Sequence, residues 1–314
     1  MKRRPRIGLA LGSGSARGWS HIGVIRELES LGVVPDVIAG SSIGALVGGA
    51  YAAGKLDPLE EWLHTLTWRK VMSFMDVSLG GGLIAGEKLF EFFRDTLGDM
   101  CFEDCETGFV AVATGMETGR EVWLREGNLF DAIRASIALP GLFRPYKVDG
   151  DWLLDGGLVN PVPVSVCRML GADVVIAVDL NADLLEVPGT ANKLVKRLEQ
   201  FQGKELTNRF KERLGDLAGK VLPLGDQEQV VEDEEELPSL LEVLARSINI
   251  MSMRITRSRM AGDPPEVVIA PHARHIGLME FHRVEEAIDI GRNEVRNEMQ
   301  RIESIIDVVR NTTP

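Results

Sequence analysis

The segment 37–45 constrains the fold more than any other part of the chain. A short apolar, β-branched run leads into the pentad Gly-Ser-Ser-Ile-Gly at 40–44, and small residues follow it. This order predicts a strand, a sharp turn and a helix, which is the context of a nucleophile elbow. Gly40 and Gly44 would leave room for a tight turn, and Ser42 would expose its hydroxyl at the positive end of the helix. An ordinary glycine turn between a buried strand and a helix is the alternative interpretation.

A second glycine-rich turn, Gly-Ser-Gly-Ser-Ala-Arg-Gly at 12–18, follows an apolar strand predicted over 6–11. It approximates the dinucleotide-binding pattern Gly-x-Gly-x-x-Gly, but its third glycine comes one position late and no acidic residue clearly ends a second strand. Such a turn can also present a ring of backbone N–H groups that holds an oxyanion. Arg17 could fix this loop, face an anionic head group or be a surface arginine.

Continuous apolar strands separated by helical patterns predict an α/β fold with a mainly parallel sheet that is covered on both faces. A hairpin with a tight turn at 149–150 ends in Asp155, and two glycines follow this residue. Asp155 is therefore either a functional carboxylate or a plain turn residue. The other predicted elements are helices over 57–75, 89–97, 128–138, 160–170, 240–260 and 284–309, a hairpin over 109–124, and strands over 173–179 and 266–271.

Composition excludes several classes of protein. The 314 residues carry a net charge of −12, which argues against nucleic-acid binding. Three cysteines (101, 105 and 167) are too few for a disulfide framework, so we expect reduced thiols in a cytosolic protein. No run reaches the roughly 18 apolar residues of a membrane span.

The segment 183–238 differs in character from the rest of the chain. Over 193–221, apolar residues recur at helical spacing beside eight basic and four acidic residues. A basic amphipathic helix can lie on a membrane surface, cap an apolar site or pack on the core. An acidic loop follows over 225–236. The apolar stripe of the helix at 284–309 could pack within the chain or form a dimer, so the oligomeric state stays open.

His272 and His275 follow the last predicted strand, where the histidine of a Ser-His-Asp triad could lie. Pro271 and Arg274 surround them, however, and no matching acidic turn accompanies them. The sequence therefore does not favour a triad.

Four motifs occur in order: the turn at 12–18, the pentad at 40–44, Ala-Ser-Ile-Ala-Leu-Pro at 135–140 and Asp-Gly-Gly at 155–157. Together they resemble the patatin-like phospholipase family, and within it the bacterial RssA-like proteins. The likeness covers about 7–180 and, more loosely, 240–291. It implies one domain over 1–314, with 183–238 as an insert that could act as a lid and 283–310 as a C-terminal helix.

The resemblance implies a three-layer α/β/α sandwich and a Ser–Asp dyad without histidine. Ser42 would be the nucleophile and Asp155 the base that cleaves fatty acyl esters of phospholipids or related lipids, with no metal or organic cofactor. The protein would be cytoplasmic, with peripheral contact to the inner membrane surface through 193–221 as a further expectation. A regulatory protein with little turnover on the same fold is the alternative, and nucleotide binding is a weaker one.

The resemblance also assigns the supporting residues. The family's oxyanion hole falls on Ser13, Gly14 and Ser15, where two serines replace the commoner all-glycine turn while the backbone N–H groups are retained. Arg17 matches the basic residue of that turn. Gly40, Gly44 and Gly156 match the glycines beside the nucleophile and the base.

Overall fold

The centre of the molecule is a sheet of eight strands in the part of the chain that the computed structural model describes, residues 4–73, 87–183 and 240–312. Its middle strands are parallel, because β1 pairs with β2 and β7, β2 with β3, and β7 with β8. Antiparallel strands extend it beyond β3. The strands are β1 Ile7–Leu11, β2 Val37–Ser41, β3 Gly108–Gly115, β4 Glu121–Leu124, β5 Tyr146–Val148, β6 Asp151–Asp155, β7 Val174–Val178 and β8 Val267–Ile269.

Helices cover both faces of this sheet. They are α1 Ser20–Ser30, α2 Ile43–Ala52, α3 Leu56–His64, α4 Trp68–Ser73, α5 Glu87–Leu97, α6 Leu129–Ser136, α7 Val164–Met169, α8 Leu240–Gly262 and α9 Val284–Thr312. Leu9 and Leu11 of β1 join the larger core cluster with α1, α2 and α9, whereas Ala10 joins a second cluster with α7. The predicted α/β sandwich with a mainly parallel sheet is confirmed.

Two predicted helices have different bounds in the structure. The helix expected over 57–75 divides into α3 and α4, because the chain leaves helical geometry after His64 and restarts with the Thr67 hydroxyl accepting from Lys70 N. The helix expected from 160 begins only at Val164, since two prolines precede it and Pro163 occupies the N-cap position.

The C-terminal helix packs within the chain, on α1. A Cβ added to Gly23 would lie 1.9 Å from Ile288 O, and one added to Gly291 would lie 2.0 Å from Ser20 O, so the two backbones are in direct contact. Arg296 donates to both carboxylate oxygens of Glu27. The apolar residues of α9 up to Ile302 therefore pack against the rest of the same chain.

The pairing of β3 explains how two distant segments meet. Residues 108–112 of β3 pair with β2, and residues 113–115 pair with β6. Because β4 pairs with residues 111–114, it occupies one edge of β3, and β2 and β6 must share the other edge. β2 runs parallel and β6 antiparallel to β3, so their carboxyl ends, Ser41 and Asp155, face each other along that edge.

The predicted amphipathic helix at 193–221 and acidic loop at 225–236 lie outside the described residues. Among the helices that are described, none combines the length and the hydropathy needed to cross a membrane.

Candidate active site

Ser42 lies on the sharp turn between β2 and α2. Its backbone has φ 57° and ψ −125°, a strained conformation for a residue with a Cβ. The turn closes only because its flanking residues are glycines: a Cβ on Gly40 would lie 2.4 Å from Gly44 O, and one on Gly44 would lie 2.2 Å from Leu11 O. The strand, turn and helix predicted for the pentad are thus confirmed.

Asp155 meets the Ser42 hydroxyl directly. Ser42 Oγ donates to Asp155 Oδ2 at 2.6 Å, and the Gly157 N–H donates to Oδ1 at 2.7 Å. Asp155 is only 1% exposed. Gly156 permits this arrangement, since a Cβ there would lie 2.1 Å from Val112 O. The two residues that the sequence singled out are therefore brought into hydrogen-bonding contact.

The environment of Asp155 makes its carboxylate more basic. Burial raises the pKa of Asp155 to about 7, against the opposing effect of the hydrogen bonds from Ser42 and Gly157. Among the described residues, no cationic side chain forms an ion pair with it, so desolvation dominates. A carboxylate with this pKa can accept a proton near neutral pH.

Ser136 also supports the elbow, and no individual role was predicted for it. Its Oγ accepts from Ser42 N at 3.0 Å and donates to Val112 O at 2.6 Å. This hydroxyl links the end of α6 to the turn and to β3. Ser136 lies within the motif at 135–140, and this motif was the feature of the sequence that could have identified it.

The glycine-rich loop at 12–18 lies against both halves of this pair. A Cβ on Gly157 would lie 3.0 Å from Ser13 Oγ, so the loop touches the aspartate turn. Ser13 N donates to Pro161 O at 2.8 Å, which commits one of the three predicted oxyanion N–H groups. Within the described residues, the N–H groups of Gly14 and Ser15 make no hydrogen bond to a protein acceptor.

Ser15 and Arg17 fix the conformation of this loop. Ser15 has φ 53° and donates through Oγ to Leu278 O at 2.5 Å, so a serine occupies a position that favours glycine. Arg17 is 1% exposed and donates to Gly14 O and Leu180 O. The interpretation of Arg17 as a surface residue is wrong, because its side chain lies inside the loop that it supports.

Arg17 is a buried cation with two aspartates nearby. Burial lowers the pKa of Arg17 to about 10, while Asp183 and Asp179 act in the opposite direction. Arg17 is therefore protonated at neutral pH and lies under the loop with two carboxylates nearby.

Two further polar residues hold the loop, and sequence reasoning missed both. Asn181 Nδ2 donates to Ser13 O at 3.1 Å, and His21 Nε2 donates to Gly12 O at 2.7 Å. Burial lowers the pKa of His21 to about 4, so it is neutral near pH 7. Asn181 follows β7 at the carboxyl edge of the sheet, and that position was a signal that could have identified it.

The two late histidines contact other carboxylates. His272 is 73% exposed and lies 4.0 Å from Asp183, and His275 contacts Glu286. Across the described ranges, no group of three His, Cys, Asp or Glu side chains could hold a metal ion. All three cysteines are free thiols.

Comparisons with known proteins find related sequences over most of the chain. A family model described as patatin-like phospholipase matches residues 9–168. An uncharacterized NTE family protein of Mycobacterium bovis is 35% identical over 92% of this chain and 89% of its own length. These matches do not specify the RssA-like subgroup, which stays a prediction.

Two further similarities differ in extent. A lysophospholipase of Saccharomyces cerevisiae is 35% identical over 56% of this chain, but the match covers 11% of the yeast protein. The crystal structure of VipD from Legionella pneumophila has a TM-score of 0.44 and 12% identity over 97% of this chain and 77% of that chain.

Proposed function

Because the chain belongs to the patatin-like phospholipase family, we propose that it is a lipid acyl hydrolase that uses Ser42 as nucleophile and Asp155 as base. The observation that carries the proposal is the 2.6 Å hydrogen bond from Ser42 Oγ to Asp155 Oδ2. A serine hydroxyl is a weak nucleophile unless a base removes its proton. Asp155 provides that base directly, in a buried position that raises its proton affinity.

Catalysis would proceed in two steps. Ser42 Oγ attacks the acyl carbonyl carbon while its proton passes to Asp155 Oδ2, and the tetrahedral intermediate collapses when that proton reaches the leaving alcohol oxygen. The ester bond breaks and an acyl-serine forms. Asp155 then removes a proton from water, which attacks the acyl carbon, and the proton returns to Ser42 as the carboxylic acid leaves.

The oxyanion donors that we propose are the N–H groups of Gly14 and Ser15, at the loop of β1. Backbone donors fixed in advance stabilise a developing oxyanion without reorganisation. We leave Ser13 out of the oxyanion donors that the resemblance implied, because its N–H already donates to Pro161 O. Ser13 instead fixes the loop through its N–H and through its carbonyl, which accepts from Asn181.

The substrate class is proposed from the family and its relatives. The matching family is named for phospholipid cleavage, and the yeast relative is named a lysophospholipase. We propose acyl esters of phospholipids or lysophospholipids. Peripheral membrane contact through 193–221 and a cytoplasmic location remain proposals of the same kind.

The test uses a chain-length series of p-nitrophenyl acyl esters beside a fluorogenic phospholipid. Wild type, Ser42→Ala, Asp155→Asn and the control Ser247→Ala would be assayed together. Ser247 is an exposed helical serine whose hydroxyl donates to Val243 O. We expect Ser42→Ala and Asp155→Asn to lower kcat/KM at least about a thousandfold, and Ser247→Ala to match wild type.

Full activity in folded Ser42→Ala would contradict the proposal. Absence of activity in every folded variant, wild type included, would favour the regulatory alternative instead.

A further inference from the structure

A cavity of about 370 Å³ lies beside α6. Residues of α5, α6 and the segment leading into β5 line it, among them Arg94, Arg134 and Arg144. Its volume is at the lower end of the range for small-molecule sites. The described lining has a single carboxylate, the exposed Glu91, so positive charge predominates.

Arg134 is the buried member of this group. It is 7% exposed, and its Nη2 donates to Arg144 O at 3.4 Å. Its Nη1 is buried and has no hydrogen-bond partner among the described residues. A buried polar donor is normally paired, because an unpaired one loses its hydration without compensation. Because Arg134 also lines the cavity, an acceptor bound there is placed to contact its guanidinium group.

Aromatic rings hold the guanidinium groups in fixed orientations. The Cζ of Arg134 lies 4.1 Å from the centroid of the Phe90 ring and 5.2 Å from that of Tyr146. Arg94 Cζ lies 5.1 Å from the Phe130 centroid. Stacked guanidinium groups keep their N–H edges available, and these edges match the oxygens of a phosphate. Burial lowers the pKa of Arg134 to about 10, which leaves it charged at neutral pH.

We propose that this cavity binds a phosphate group, either as inorganic phosphate or as part of a phosphate ester, through Arg94, Arg134 and Arg144. It is a site apart from the serine–aspartate pair. Arg134 and Ser136 are two positions apart on α6, which separates their side chains by about 200° around the helix axis. Since Ser136 contacts Ser42, Arg134 points away from the reacting atoms. The proposal therefore does not depend on the hydrolase assignment.

The test measures binding rather than turnover, so its failure leaves the proposed hydrolase untouched. Inorganic phosphate would be titrated into the full chain by isothermal calorimetry at constant ionic strength, and sn-glycerol 3-phosphate would be titrated in parallel. Wild type would be compared with Arg134→Lys, Arg94→Gln and the control Arg301→Gln. Arg301 is exposed on α9 and pairs with Glu298.

We expect saturable phosphate binding by wild type and Arg301→Gln, and binding at least tenfold weaker in Arg134→Lys and Arg94→Gln. Because Arg94 is exposed, its variant decides the question if Arg134→Lys does not fold. Tighter binding of sn-glycerol 3-phosphate would identify an esterified phosphate such as a lipid head group, and tighter binding of inorganic phosphate would identify the free ion. No saturable binding by folded wild type, or wild-type affinity in both variants, would overturn the proposal.

Discussion

The elbow at 40–44 and the loop at 12–18 leave the same edge of the sheet, yet different parts of the chain fix their conformations. Both follow adjacent parallel strands, β2 and β1, and each precedes a helix. Contacts between neighbours in sequence contribute to the elbow, since Gly40 packs on the backbone of Gly44, and Gly44 in turn packs on Leu11 O of β1. The loop depends on distant groups, such as the carbonyl of Leu278. A local motif therefore predicts the first turn better than the second.

The buried ionisable residues beside the two turns also differ in their surroundings. Asp155, beside the elbow, is hydrogen-bonded to neutral donors, and burial raises its pKa to about 7. Arg17, under the loop, has Asp183 and Asp179 nearby, which partly offset the effect of burial. A catalytic base gains from an unpaired, desolvated carboxylate, whereas a positioning residue gains from retaining its charge.

The largest effect should follow Gly44→Ala, which tests whether close backbone packing sets the elbow. The added Cβ would lie 2.2 Å from Leu11 O, a backbone atom that cannot move without disturbing β1. We expect the free energy of unfolding, measured in urea, to fall by about 3 kcal/mol or more. Activity should fall as well, because Ser42 would move with the turn.

Gly119→Ala is the matched control for this substitution. Gly119 has φ +65° with no atom within 4 Å of an added Cβ, so only backbone strain of about 1–2 kcal/mol should appear. An equal loss of stability in the two variants would show that the close packing at Gly44 does not set the turn.

Sequence reasoning recovered the features that depend on neighbours in the chain. The elbow, the hairpin ending at Asp155 and the alternation of strands and helices were all predicted and confirmed. The pairing of Asp155 with Ser42 came only from the family resemblance, because β6 reaches the end of β2 by sharing an edge of β3. Similarly, Ser15 meets a carbonyl 263 residues away. No local pattern encodes such a contact.

A second prediction concerns the pH dependence of stability. The pKa of Asp155 is about 7 in the folded protein against an ordinary value of 3.8. Between these values the unfolded chain binds fewer protons than the folded one, so stability falls as pH rises. Asp155→Asn lacks this effect. It should therefore gain about 2–3 kcal/mol in unfolding free energy relative to wild type between pH 5 and pH 8.

Urea unfolding of both proteins at the two pH values measures this difference. Arg17 provides the contrast, because its lowered pKa of about 10 lies above this range and predicts no comparable change. A constant difference between wild type and Asp155→Asn would show that Asp155 is ionised at both pH values.

Asn181→Ala tests whether distant side chains set the loop. It removes the Nδ2 hydrogen bond to Ser13 O, and the Gly14 and Ser15 N–H groups should lose their fixed orientation. We expect kcat on a p-nitrophenyl ester to fall about tenfold with little change in KM, since oxyanion donors act in the transition state. The control is Asn297→Ala, an exposed asparagine that contacts Glu294. An unchanged kcat, or a change confined to KM, would contradict this role for Asn181.

The smallest effect should follow Ser15→Gly, which separates backbone strain from the distant contact. Glycine adopts φ 53° without strain but loses the Oγ hydrogen bond to Leu278 O. The two changes oppose each other, so stability should stay within about 1 kcal/mol of wild type. Ser15→Ala keeps the strain and also loses the bond, and it should be about 1 kcal/mol less stable than the glycine variant. The free energies of unfolding of the two variants are compared in urea. If Ser15→Ala is as stable as Ser15→Gly or more stable, the positive φ carries no strain, and the loop is then held by its distant contacts alone.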